Sequence, residues 1–244
     1  SDSLTYRIES IKLLGRMGTN AEIELGIREL LDDPDVEVRL AAFEALDKRR
    51  DPHIIAVELG KKFILNVVPS KHRMIYVAQS GQPRIVIFGE DLEVKRPMTL
   101  FTWGGRLIVK ADEGDKLLEV FYRERPELAA VVDRVKPDLS SLIGYLARRP
   151  TPDRPEAGLN LTYSETISAL HELWRLKYLQ CDFRAEQDRI LAEVLRDDKG
   201  EKDIRPEFTN EDGPGDRDAN APKSLSEVGA SRPSDLESAS VGSG

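Results

Sequence analysis

The chain has 244 residues, 40% hydrophobic and 33% charged, with a formal net charge of −8. That is the profile of one or two domains with real cores. The longest stretch free of Asp, Glu, Lys and Arg runs from Met74 to Pro83, far short of the about 20 apolar residues that a membrane-spanning helix needs.

The charge is uneven. Residues 197–244 carry 12 acids and 6 bases, a net of −6, which leaves −2 for residues 1–196. The body therefore offers no bulk field for nucleic acid. Cys181 is the only cysteine, so an internal disulfide and a CxxC metal site are both excluded. Ser1 to Arg16 scatters charge through a helical pattern, unlike a signal peptide. The expectation is either a cytoplasmic protein or a precursor whose start is missing.

Apolar spacing predicts helices over Tyr6–Met17, Ala21–Leu31 and Val36–Lys48. Asp33 is the expected N-cap of the third, with Pro34 at its first helical position. Setting Arg7 on Arg39 aligns Ile8 with Leu40, Ile11 with Phe43 and Leu14 with Leu46. A self-similar spacing of this size points to stacked helical hairpins. The segment DDPDVEVRLAAFEAL resembles a HEAT repeat, with the family's pattern at Asp33, Pro34, Val36, Arg39, Ala42, Ala45 and Leu46. The resemblance covers about residues 3–51. It implies a scaffold of helical hairpins in which Asp33, Pro34 and Arg39 are structural, and a chain that begins inside a longer array.

After Asp51-Pro52 the period changes. Ile54–Leu59 fits either a short helix or a strand. Strands are expected near 63–68, 73–78, 84–89, 92–96, 98–103, 106–111 and 116–123. The links between them are short, so an antiparallel meander or small barrel is expected over 53–125. Ile85-Val86-Ile87-Phe88 is apolar on both faces and should lie centrally. Pro97 suits an edge or a strand start. Helices are then expected over Pro126–Val135 and Pro137–Arg149, followed by a Pro-rich connector to Gly158. Thr162-x-x-Glu165 is a capping-box pattern. It opens an amphipathic helix with Ile167, Leu170, Trp174 and Tyr178 on one face, and a last helix, broken from it near Asp182-Phe183, should run through Leu195. These C-terminal helices span 126–196. Residues 197–244 hold too few large apolar side chains to fold, and are expected to be a disordered acidic tail. The fold class is α+β.

Nothing in the chain has the spacing of reaction chemistry. His53, His72 and His171 stand far apart, and Cys181 beside Asp182 lacks a basic neighbour. The acids of Asp112-Glu113-Gly114-Asp115 read as solvated turn residues, with weak Ca²⁺ binding the sharper alternative. Met74, Tyr76, Phe101 and Trp103 could form an aromatic face for nucleic acid, but nearby acids offset the Lys and Arg around them, and core packing is favoured. No catalytic residue, metal or cofactor is expected. Partners should be proteins rather than nucleic acid or membrane. The candidate contact site is the turn at Trp103-Gly104-Gly105.

Five stretches carry a further resemblance. They are VPSKHRMIYVAQSGQPRIVIFG from Val68, RLIVKADEGDKLLEVFYR from Arg106, PDLSSLIGYLARRPTP from Pro137, LTYSETISALHELW from Leu161 and CDFRAEQDRIL from Cys181. Together they are similar to the C-terminal extension of certain bacterial flagellar P-ring proteins, over residues 1 to about 196. The Gly-rich segments of that family's ring-forming domain are absent, so the resemblance implies a C-terminal fragment. It further implies a periplasmic, non-enzymatic part of the ring that acts as a bushing for the flagellar rod, with self-assembly or flagellar rod and ring subunits as its partners. The alternative is a general HEAT-repeat scaffold, in the cytoplasm.

Overall fold

Three helices open the chain: α1 (Asp2–Arg16), α2 (Ala21–Glu29, followed by a 3₁₀ turn at Leu30–Asp32) and α3 (Val36–Lys48). The computed structural model describes residues 2–18, 20–151 and 158–190. The expected acidic tail, the last helix beyond 190 and most of the Pro-rich connector lie outside the described residues. The described residues belong to one compact unit.

Helices α1 and α3 lie against each other. A Cβ added to Gly15 would stand 2.8 Å from the Ala45 Cβ, so glycine permits the close approach. Arg49 closes the end of α1, donating to the carbonyls of Met17 (2.7 Å) and Gly18 (3.2 Å) and to Glu24 (3.0 Å). This satisfies acceptors that a helix terminus leaves open. The start of α3 differs from the expectation. Its N-cap is Asp35, whose carboxylate accepts from Glu37 N, and Pro34 lies outside the helix. The Asp33 side chain is already engaged, accepting from Asp35 N at 2.9 Å and pairing with Arg7, which moves the helix start two residues on.

The first sheet contains β1 (Ile55–Leu59), β2 (Phe63–Val68), β3 (Met74–Ala78), β4 (Arg84–Phe88) and β9 (Asp182–Ala185), in the order β1-β2-β4-β3-β9. The β3–β4 hairpin and the central place of β4 match the sequence reading. The all-antiparallel expectation does not hold, because β2 runs parallel to β4 and β3 parallel to β9. Strand β4 is apolar on both faces and takes the middle position, which pushes β3 one place outward from β2. Asp182-Phe183, expected as a break between helices, is part of edge strand β9.

The second sheet is a sequential antiparallel meander of β5 (Met98–Thr102), β6 (Leu107–Ala111), β7 (Leu118–Tyr122) and β8 (Val131–Val135). Pro97 precedes the first residue of β5, an edge strand, as expected. Two corrections follow. Residues 126–135 do not form a helix: Val131-Val132 are β-branched, fit a pleated surface well, and pair with Tyr122 and Phe121. Residues 92–96 are not a strand. Their backbone meets the 137–139 loop instead, with Val94 N on Pro137 O and Leu139 N on Leu92 O, both at 2.9 Å.

Two further helices follow among the described residues, and residues 186–190 after β9 are helical as well, where the last helix is expected to begin. Asp138 caps α4 (Leu139–Ala147), and the expected Thr162/Glu165 capping box opens α5 (Tyr163–Arg175). The first sheet is covered on both faces. Leu65, Ile75, Ile85 and Ile87 join one cluster with the second sheet, α4 and α5. Val68, Met74, Tyr76, Val86 and Phe88 join another with α1–α3. The architecture is α+β.

Candidate interaction surface

The second sheet buries one face and presents the other. Along β5, Met98, Leu100 and Thr102 are buried while Thr99 and Phe101 are exposed. The alternation continues through β6 and β7. Register then assembles a single outward row, because Phe101 pairs with Ile108, Ile108 with Phe121, and Phe121 with Val132. All four are apolar. Phe101 is 63% exposed and Val132 61%, and the two between them are half-buried. The neighbouring outward row is polar, with Thr99 opposite Lys110, Lys110 opposite Glu119 and Glu119 opposite Arg134. Lys110 Nζ and Glu119 Oε1 stand 3.2 Å apart. On the other flank the Arg123 guanidinium lies 5.7 Å from the Phe121 ring centre, within cation–π range.

The turn at Trp103-Gly104-Gly105 adjoins this row. All three residues have positive φ (52°, 64° and 86°), a conformation that glycine adopts without a Cβ clash. A Cβ on Gly105 would meet the Phe101 ring at 2.8 Å. Its absence lets the ring settle over the turn. Trp103 is half-buried, packs against the main core, and donates its indole N–H to Ser168 Oγ on α5 at 3.3 Å. The tryptophan thus anchors the turn, and the exposed aromatic is Phe101. The sequence groups Phe101 with Met74, Tyr76 and Trp103, for which core packing is the favoured expectation. Met74 and Tyr76 are indeed buried, 0% and 3% exposed, but against α1–α3. Phe101 is on a different sheet and faces outward. The alternation in Met98–Thr102 carried that signal.

Asp33, Pro34 and Arg39 come together. Arg39 Nη1 donates to the carbonyls of Asp33 (2.7 Å) and Pro34 (3.0 Å). Arg39 is only 4% exposed and its Nε has no partner among the described residues. It borders a polar cleft of about 810 Å³ with Lys71, Arg73, Asp91 and Asp182. Most of that charge is already matched, Lys71 by Asp32 at 3.2 Å and Arg73 by Asp91.

The histidines do not converge. His53 faces Asp51 (3.4 Å), His72 lines the polar cleft, and His171 lies tilted against Trp174 and edge-on to Phe183. Burial, reinforced by Asp182, pushes the Cys181 thiol up to about 12. It is therefore a protonated thiol at neutral pH and a poor nucleophile. In the 112–115 turn, Asp115 accepts from Asp112 N at 2.8 Å, a hydrogen bond that closes the turn. No known family model, curated protein or solved structure matches the chain.

Proposed function

We propose that the chain is a non-catalytic assembly module that works through contacts, as part of the flagellar basal-body P-ring in the periplasm. The observation that carries the assembly reading is the outward row Phe101–Ile108–Phe121–Val132. Isolated apolar residues on a surface need no explanation, but a continuous row bordered by charge is the form that contact surfaces take. The P-ring part of the reading rests on the five stretches of similar sequence that begin at Val68, Arg106, Pro137, Leu161 and Cys181.

A second reading, a general HEAT-repeat scaffold, draws on a different surface. Tyr6, Leu13 and Met17 on and beside α1 and Leu25 on α2 are all at least half exposed. A helical array would cover such a face with the next repeat.

The test is fractionation of cells expressing the chain in its native context. The expected result is recovery from the periplasm and with flagellar basal bodies, lost in Phe101→Asp while the melting temperature is unchanged. Absence of the wild-type protein from both fractions overturns the P-ring reading, and the scaffold reading takes its place.

A further inference from the structure

Resting on the assembly reading above, we infer that the partner of the outward sheet face is a second copy of the same face, packed on it about a two-fold axis. The argument is the symmetry of what the face presents. Consider an axis lying in the interface and running along the strands between β6 and β7. It exchanges β6 with β7 and β5 with β8. Ile108 of one copy then opposes Phe121 of the other, and Phe101 opposes Val132. In the adjacent row Lys110 opposes Glu119, twice. Every apolar group of the row meets an apolar group and Lys110 meets Glu119, while beyond the row Arg123 meets Arg106.

The apolar row and the Lys110–Glu119 pair are each their own complement under the two-fold, which is what an isologous interface requires. Face-to-face sheets pack about 10 Å apart with an angle of about 30° between strand directions, a gap that Lys and Glu side chains reaching from both sides can bridge. The same two charges disfavour other partners. A protein that covered the apolar row without matching charge would bury Lys110 and Glu119 with only each other, at their own sheet surface.

The size of the face sets the strength. Four strands by five residues make a patch of roughly 19 by 17 Å, so the pair buries on the order of 600–700 Å² in total, below the roughly 1,200 Å² of a stable complex. The pairing is therefore weak in dilute solution and forms where copies are held close together, as in an assembly.

Sedimentation equilibrium of the chain from about 10 µM to about 1 mM tests this with a charge exchange. Wild type should self-associate toward a dimer at the upper end. Lys110→Glu places Glu against Glu, and Glu119→Lys places Lys against Lys, so each alone should weaken association by about fivefold or more. An equimolar mixture of the two single variants should recover it as a heterodimer, since each Glu now meets a Lys across the axis. Both variants lack the internal Lys110–Glu119 pair, so a merely structural role for that pair predicts no recovery. A wild type that stays monomeric throughout, or a mixture no better than the separate variants, overturns the inference. If Phe101→Asp still releases the protein from basal bodies in that event, the assembly reading stands without it. Charge-exchange pairing by a protein that never reaches basal bodies would instead remove the P-ring reading alone.

Discussion

Phe43 and Phe88 meet edge to ring, their centroids 6.0 Å apart with planes at 69°. One comes from α3 and the other from the central strand β4, and both are at most 1% exposed. This pair joins the N-terminal helices to the first sheet. Arg84, at the other end of β4, adds a guanidinium 6.0 Å from the Phe43 ring centre and an ion pair to Asp47 at 2.6 Å.

Phe88→Ala is expected to cost about 3–5 kcal/mol, because the cavity sits between a helix and a sheet that cannot easily collapse together. Ile87→Ala, one residue back on the opposite face, should cost about 2–5 kcal/mol from the other core cluster. Denaturant titration measures both. A cost under about 1 kcal/mol at either position, typical of surface changes, would contradict a two-sided sheet.

Asp51 supplies a pH dependence. Its side chain is fully buried, and burial alone would raise its pKa. The hydrogen bonds from Arg28 and from His53 N, with the charge of Arg28, more than offset that and hold the carboxyl below its ordinary value. The Arg28 contacts span 2.8–3.1 Å. A carboxyl depressed in the folded state stabilises it fully above the unfolded pKa of about 3.9, and the contribution is lost as pH falls through the folded pKa. Asp51→Ala should therefore lose about 1.5–3 kcal/mol at pH 7. The gap between variant and wild type should narrow as pH drops below about 4. A gap that stays constant with pH would show that the charge is not the cause.

Local stability should differ between the outer and inner helices. Among the described side chains of α1 only Ile11 is buried, at 3% exposure, whereas α3 buries eight residues from Val38 to Leu46. Amide exchange should be faster across 4–16 than across 36–48, since protection follows burial of the surrounding contacts. Equal protection would mean that α1 is covered.

Gly105→Ala places a Cβ at a positive φ and against the Phe101 ring. The backbone term is about 1–2 kcal/mol, and the ring, which is free on its outer side, should swing aside. Thermal melting should drop modestly while Phe101 near-ultraviolet dichroism changes. An unchanged melt would place the turn in another conformation.

Helices and strands were legible where local rules act alone. The capping box at Thr162, the apolar period of Val36–Lys48 and the two-sided run of Ile85–Phe88 each led to the observed element. What failed depended on distant partners. Phe183 sits beside Ile75 in the sheet, and no local pattern announces a strand supplied by so late a segment. Val131–Val135 fits a weak helical spacing until β7 offers it an edge. Phe101 was misassigned because an aromatic in an apolar strand suggests a core, while its exposure depends on which parity of β5 faces inward.

The place of β9 bears on how the molecule is made. Strand β3 receives its outer neighbour only from residues 182–185. Just beyond them, Arg189 reaches back to Glu37, at 2.9 Å, and to the Tyr76 hydroxyl, at 3.1 Å. On a ribosome, α1–α3 and the β3–β4 hairpin emerge well before the segment that closes that edge. Until it appears, β3 carries an open row of backbone groups, the kind of edge that pairs with neighbouring chains. Nascent copies crowded on one messenger would then be exposed to mispairing through β3, and slowing synthesis between residues 90 and 180 should lengthen that interval.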